Sequence, residues 1–573
     1  MDSKAEMYSK KIYLSYGFYI AALLLSLFIF NIVFLQLGSI SDKWELNDDY
    51  RMHIYWMQKF EDPSLFKNDL LEEYSEFFQT PGFVALYRAG SKTIGLLETS
   101  KIIQLLLIII TAFFSYLIIS EIFNKNFYEK IFSFFLLAIC PGYYEVLYGG
   151  YSRGIGYCIT LVSIYLLIKE KYVLIFINLI LCALVHPPSF IITSSYLAIS
   201  FLFKRKNIKK LTIIYFIISL LIGSGFLLLK YEQPDAKFGD LIWYDRTMPE
   251  FQNDGRSHVS EIKNIFQTMY NSEIKKSFST QRSVRNLFRK KIEDCNYIFF
   301  GKNIETLDDV CNFFNKNILS PLSVIGILFF LFKNNSTNKI RNTLAMCLAC
   351  SIILFIITDF VAMKLYFPSR YLRPIVQLLS IIGIVQIFSM VNNFKRMKPN
   401  ISIMLITFIL FLAFHGTGFS RSHALNINVA DNSDILEFIK TLPRDSQIAA
   451  NPVVSDNIPA FTGRKVFFNR EHCLPFYKNY YSAIKERANK FFELYYTKDE
   501  NTLNTIANNY GINYLIISKS DFLEEHLKDK EIFYEPFNSE INKIIENSNG
   551  IFAWKKLSHK KIYEDNDFII LKL

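Results

Sequence analysis

Two adjacent carboxylates, Asp48 and Asp49, are the first residues of this chain whose types and place could do chemistry. They lie in the stretch Trp44-Glu45-Leu46-Asn47-Asp48-Asp49-Tyr50-Arg51, just beyond the first long apolar run. Tryptophan and tyrosine favour the headgroup layer of a bilayer, and Trp44, Tyr50 and Trp56 flank the pair. A carboxylate placed there suits a general base that takes a hydroxyl proton near a lipid headgroup. The plainer reading is solvated charge in an external loop. Four further groups of residues bear on the choice: Arg51, Arg153, His186 with Pro187 and Pro188, and Arg370 with Tyr371. Arginine offers a planar fork of donors that matches a phosphate. Its plainer role is to reach toward lipid phosphate as an anchor, and that of His186 is to cap a helix.

The elements that must position these residues are helices in a membrane. About half the chain is apolar (51%) and 55 residues are phenylalanine. Many runs of about 15 to 24 residues carry few charges, near the length that crosses a hydrocarbon core. The net charge of +11 does not call for nucleic acid, because much of the excess lies in short loops between apolar runs. Cys347 and Cys350 sit inside an apolar segment and read as small buried thiols. Cys295 and Cys311 share a hydrophilic loop and would pair if that loop is external and oxidised. The first apolar run lacks a small-residue cleavage site and reads as a retained anchor.

Orientation follows from the basic loops. Lys4, Lys10 and Lys11 place the N-terminus in the cytoplasm, and Leu14 to Leu37 is the first span. Residues 38–99 form a long acidic external loop, whose second half from Thr80 to Arg88 reads as a helix lying on the membrane surface. Lys101 to Phe123 returns inward, Lys130 to Leu147 goes out, and Ile155 to Ile168 comes back after the glycine-rich turn 149–156. Tyr172 to Val185 and Ser189 to Phe203 are broken by His186-Pro187-Pro188, and read either as two spans or as a broken hairpin. Leu211 to Leu229, Ile318 to Phe332, Asn342 to Val361, Tyr371 to Val391 and Ile401 to Phe419 follow. The large loop 230–317 is external and carries Arg282, Arg285 and Arg289 at spacings that share one helical face. The sum is about eleven spans, with every strongly basic short loop on one side.

Residues 430–573 read as a soluble extracytoplasmic α/β domain, after a transmembrane domain of residues 1–429. Periodicity gives helices at Ser433 to Thr441, Tyr480 to Tyr496 and Glu500 to Asn509. Strands are expected at Gln447 to Ala450, Lys465 to Phe468, Tyr514 to Ile517 and Phe568 to Leu571. No glycine-rich fingerprint follows a strand, so no nucleotide site is assigned.

In this topology Asp48, Asp49, Arg153, His186, Arg370 and Tyr371 all fall on the outer side, each at a helix end or break. Ionisable residues at such positions are functional candidates by default. A sugar carried on a polyprenyl phosphate presents its headgroup at that surface. Its transfer needs a carboxylate for the acceptor proton and cations for the departing phosphate.

A first external loop opening with Asn47-Asp48-Asp49, then a surface helix, many spans and a terminal external domain, resembles the GT-C superfamily of membrane glycosyltransferases. The resemblance covers the membrane region. It implies a lipid-linked sugar donor, an acceptor glycan, lipid or protein, and catalysis by Asp48 or Asp49 as base. It also implies residence in a bacterial plasma membrane. Segments Gly149 to Gly154, Val185 to Pro188, Pro368 to Tyr371 and Ile458 to Arg464 are also similar to bacterial membrane proteins of this layout that carry no known activity. Substrate contacts are assigned to Arg51, Arg153, His186, Arg370 and Tyr371. No extended acidic metal motif of the oligosaccharyltransferase kind is present, which lowers the case for a metal: a divalent cation stays open but is not indicated, and no other cofactor is called for. The rival readings are a transporter or flippase, for which Asp359 is the main intramembrane carboxylate, and a non-catalytic scaffold for envelope polysaccharide assembly. The spans show no internal repeat of the transporter kind.

Overall fold

The computed structural model describes residues 42–123, 127–139, 141–203, 209–231, 237–242, 247–257 apart from 253, 270, 274, 319–332, 338–361, 368–394 and 427–573. The expected spans Leu14 to Leu37 and Ile401 to Phe419 lie outside these residues, as do Arg282, Arg285, Arg289, Cys295 and Cys311.

Long apolar helices build the first part of the chain. They are α1 (Pro81–Ile94), α2 (Leu96–Ile122), α3 (Phe127–Ile139), α4 (Ser152–Ile168), α5 (Tyr172–Val185), α6 (Pro187–Phe203), α7 (Lys210–Tyr231), α8 (Ser320–Phe332), α9 (Asn338–Val361) and α10 (Ser369–Phe394). Among the described residues four helices are long and apolar enough to cross a membrane, within α2, α7, α9 and α10. Four shorter apolar helices, α4, α5, α6 and α8, pack with them. At 1.5 Å per residue the 27 residues of α2 reach about 40 Å.

Burial separates the centre of the bundle from its rim. The apolar stretch of α10 is 83% buried and that of α7 only 17%. Leu211, Ile214, Ile217, Leu221 and Leu228 of α7 lie bare. An apolar face of that extent is unstable in water and suits lipid. Where α8 crosses α10 the backbones touch: a Cβ on Gly326 would come within 2.0 Å of the Gly383 carbonyl oxygen. Only small residues allow so close a crossing.

The breaks between helices have local causes. Within the expected run from Lys130 to Leu147, α-helical geometry gives way to a 3₁₀ stretch at Glu145. The described residues of α3 run to Ile139, residues Pro141–Tyr144 are helical as well, and the 3₁₀ stretch, Glu145–Gly150, carries the chain to α4. At the His186-Pro187-Pro188 break the structure forms two packed helices, α5 and α6. The expected surface helix is α1, opened by Pro81 at its first turn.

Residues 427–573 form a sheet of five strands in the order β4-β3-β5-β7-β6. These are β3 (Gln447–Ala450), β4 (Lys465–Val466), β5 (Tyr514–Ser518), β6 (Lys561–Glu564) and β7 (Phe568–Lys572). Strand β3 runs parallel to β4 and β5, while β7 is antiparallel to β5 and β6. All five residues of β5 are buried, as befits a strand covered on both faces. Helices α11 (Ser433–Thr441), α12 (Ile458–Thr462), α13 (Lys478–Tyr496), α14 (Glu500–Tyr510) and α15 (Asn538–Ser548) surround the sheet.

This C-terminal region is tied to the first loop. A short antiparallel pair joins β1 (Glu45–Leu46) to β2 (Ile427–Asn428). The core of the C-terminal region also takes in Met52, Leu71, Tyr74 and Phe238. Tyr74 stacks flat on Tyr480, with ring centroids 3.5 Å apart.

Candidate active site

Four helix starts and one loop meet at one end of the bundle. Arg153 is the second residue of α4, and its helix packs against the α5–α6 corner. His186 is the residue between α5 and α6. Arg370 is the second residue of α10. The start of α1 is pinned to the same corner, because Thr80 Oγ1 donates to the Val185 carbonyl at 2.8 Å. Helix N-termini carry partial positive charge, so their convergence favours an anion.

The loop residues 47–53 lie over this end. Asn47 organises them: its Oδ1 accepts from the Asp49 amide at 3.2 Å and from the Tyr151 hydroxyl. Asp49 then points to the bundle, and its Oδ2 stands 2.5 Å from Arg153 Nη2. The Arg153 guanidinium lies over the Tyr151 ring, 5.2 Å from its centroid. Burial alone would push the Asp49 carboxyl up. Arg153, and after it His53, Arg370 and Arg51, outweigh burial and hold it below the usual carboxylate range. The charges of Arg153 and Arg370 act on Asp49, His53 and His186 alike, which puts all five groups in one electrostatic neighbourhood.

His186 is buried, and its Nδ1 pairs with Ser189 Oγ at 2.9 Å. Its Nε2 has no hydrogen-bond partner among the described residues, and neither has the buried Nε of Arg153. Buried polar atoms are normally paired, so these two orphans, with His186 within reach of the Arg153 charge, mark a place for a polar ligand. Gly156 makes room for the imidazole: a Cβ there would come within 2.4 Å of His186 Nδ1.

Asp48 faces the other way. Its carboxylate pairs with Arg51, whose side chain is buried. The Arg51 guanidinium also reaches Asn457 Oδ1 at 3.1 Å and Glu471 Oε1 at 3.3 Å, and lies 3.9 Å from Asp456 Oδ2. Glu471 Oε2 takes Arg256 at 3.1 Å. Arg51 is thus the hub of a buried clamp between the first loop, the large loop and the C-terminal region, and its donors are turned from the bundle end where a substrate contact was expected. Tyr371 was expected at the site as well. It is wholly buried in the bundle core, with its amide donating to the Pro368 carbonyl at 3.1 Å.

His53 belongs to the site although the sequence reading passed over it. It lies one helical turn after Asp49, and its amide donates to the Asp49 carbonyl at 2.9 Å. The Gln79 side-chain amide donates to its Nδ1 at 2.9 Å, which leaves the ring proton on Nε2. Burial, with Arg153 and Arg370, pushes the imidazole down to about 4, against the pull of Asp49. The four-residue spacing from Asp49 was the available signal.

A second polar array lies above, and resembles a hydrolase triad in its distances only. Ser75 Oγ donates to His472 Nε2 at 2.8 Å, and His472 Nδ1 donates to Asn469 Oδ1 at 2.9 Å. All three side chains are at 0% exposure, so no substrate reaches them and the array pins the first loop to the C-terminal region. Among the described residues no group of three acidic, histidine or cysteine side chains is placed to hold a metal ion.

No protein-family model matches the chain, and no curated protein matches it in sequence. Solved structures do. The oligosaccharyltransferase of Archaeoglobus fulgidus, in a complex with zinc and sulfate, aligns over 91% of this chain and 70% of its own, with a TM-score of 0.50 and 12% identity. The chain has the GT-C fold. ArnT from Cupriavidus metallidurans aligns over 96% of this chain and 98% of its own, with a TM-score of 0.40 and 10% identity. In this chain the loop bearing Asp48 and Asp49 follows the first expected span and lies against the bundle end described above.

Proposed function

We propose that this chain is a membrane glycosyltransferase that moves a sugar from a polyprenyl-phosphate donor to an envelope glycan, lipid or protein. It works on the extracytoplasmic face of a bacterial plasma membrane. The observation that carries this reading is Asp49 beside Arg153, Arg370 and His186, at converging helix starts on one end of an apolar bundle. The GT-C fold supports the same class.

Asp49 is the carboxylate assigned as base, since it faces Arg153, Arg370 and the bundle end, while Asp48 faces Arg51. An acceptor hydroxyl loses its proton to Asp49 as its oxygen bonds to the anomeric carbon. The bond from that carbon to the phosphate oxygen breaks, and its electron pair stays on the phosphate. Arg153 and Arg370 meet the charge that develops there, worth more in a partly dry site than in water. His186 Nε2 lies on the same side and is assigned to the phosphate or the sugar. The scheme uses no metal. Residues 430–573 form the extracytoplasmic domain, and Glu471 and Asn457 seat it on the catalytic loop.

In cells that carry only the Asp49→Asn form, the acceptor should lack the transferred sugar while the protein still inserts in the membrane. A glycan profile equal to that of the native form would favour a scaffold or a transporter instead.

A further inference from the structure

The Asp49–Arg153 ion pair presents a difficulty for the proposed reaction, and the difficulty is informative. A carboxylate with a guanidinium at 2.5 Å has its lone pair held and is a weak base. A guanidinium neutralised by that carboxylate is a weak phosphate ligand. Paired in this way, each group disables the other.

The pair is built rather than incidental. Asn47 Oδ1 fixes the Asp49 amide at 3.2 Å and the Tyr151 hydroxyl, and the Tyr151 ring carries the Arg153 guanidinium. Yet the guanidinium is not fully engaged, because its buried Nε has no hydrogen-bond partner. His186 Nε2, close enough to feel the Arg153 charge, is unpartnered too. Two unsatisfied buried atoms lie on the side of Arg153 and His186, with Arg370 nearby. An anion with several acceptor oxygens placed there would accept from Arg153 Nε, and from His186 Nε2 in the tautomer in which Ser189 donates to Nδ1, and would draw Arg153 toward it.

We propose that the Asp49–Arg153 pair is a latch: the phosphate of the lipid-linked donor takes Arg153 from Asp49 and thereby frees the base. The proposal rests on the glycosyltransferase reading and adds an order to it, donor before acceptor. With Arg153 turned to the phosphate, Asp49 loses the cation it contacts and keeps the charges of Arg370 and Arg51 in its surroundings. Its carboxyl then rises toward the ordinary range, where it accepts a proton more readily. Arg153 is in this account both a phosphate ligand and the residue that sets the activity of the base.

Binding without turnover tests the latch. Farnesyl phosphate, with farnesol as the control for the hydrocarbon chain, is titrated into the full-length protein in nanodiscs. The phosphate must compete with Asp49 for Arg153, so Asp49→Asn should bind farnesyl phosphate on the order of tenfold more tightly than the native protein. This is the same variant that is expected to lose turnover. Asp48→Asn removes an equal charge one residue away and should show no such gain. In an Arg153→Ala background the gain from Asp49→Asn should vanish, because it passes through Arg153. An equal gain in Asp48→Asn, a gain that survives Arg153→Ala, or no gain in Asp49→Asn would each overturn the latch and leave the phosphate site standing. Failure of the native protein and of Asp49→Asn alike to prefer farnesyl phosphate over farnesol would overturn the glycosyltransferase reading itself.

Discussion

Asp48 and Asp49 are neighbours in sequence with opposite partners, and that division organises the site. Their spacing marked them as chemistry-bearing, as the helix breaks did for Arg153, His186 and Arg370. What local sequence could not supply was the partner. Arg51 is drawn from the bundle by Glu471, which lies 420 residues away, and no pattern within a window of the chain encodes that pairing. The first loop holds a further buried carboxyl with a measurable consequence. Asp69 accepts from the Leu71 amide at 3.2 Å, while its Oδ2 is buried without a partner. Burial pushes this carboxyl up to about 7, against the pull of the Leu71 amide, Arg487 and Lys465. Between the unfolded value near 4 and the folded value near 7, the folded protein keeps a proton that the unfolded chain loses. Stability should therefore fall as pH rises through that window, by an amount on the order of a few kcal/mol. Asp69→Asn keeps the helix cap and removes the titration. Melting temperatures in detergent should match the native protein below pH 4 and exceed it at pH 8. A native-like fall in the variant would assign the pH dependence elsewhere.

Elements were more legible than pairings. The helix Ser433–Thr441 and the strand Gln447–Ala450 have the ends that periodicity gave them, because an apolar stripe or run bounded by polar turns fixes both. The strand expected from Lys465 to Phe468 ends at Val466, and the expected outward span from Lys130 to Leu147 turns from α-helix to 3₁₀ at Glu145. The β1–β2 strap was invisible, since two residues on each side carry no period. Four long apolar helices and four shorter ones stand among the described residues, and the short ones depend on the contacts at their ends. Gly156 makes the most demanding of these contacts. Gly156→Ala would drive a methyl group into the His186 ring and force the α4 and α5–α6 elements apart. Overpacking of this kind costs about 1–3 kcal/mol. Transfer should drop together with a melting temperature lowered by several degrees, and His186→Ala in the same background should restore the melting temperature but not the transfer. A fully stable and active Gly156→Ala protein would remove His186 from its place against α4.

At the scale of the whole molecule, the clamp of Arg51, Asp456, Glu471 and Arg256 makes the C-terminal region a lid over the bundle end that holds Asp49. Donor and acceptor would then meet between an apolar bundle and a polar cap, as transfer from a lipid to a water-soluble group requires. The arrangement has meaning only if the cap faces outward. A protease-cleavable tag after Leu573 should be cut in intact cells whose outer barrier is opened, and protected from protease on the cytoplasmic side. The reverse pattern would place Asp49 on the wrong side for a donor displayed outside. The central claim is that Asp49 takes the acceptor proton in a sugar transfer from a polyprenyl phosphate. Its most direct measurement is the release of polyprenyl phosphate from labelled lipid-linked sugars by the purified protein in nanodiscs, with envelope acceptor present. The native protein should release it, and Asp49→Asn should be slower by about 10³-fold with its fold intact, in the range of a lost general base. Release by Asp49→Asn at the native rate would contradict the account.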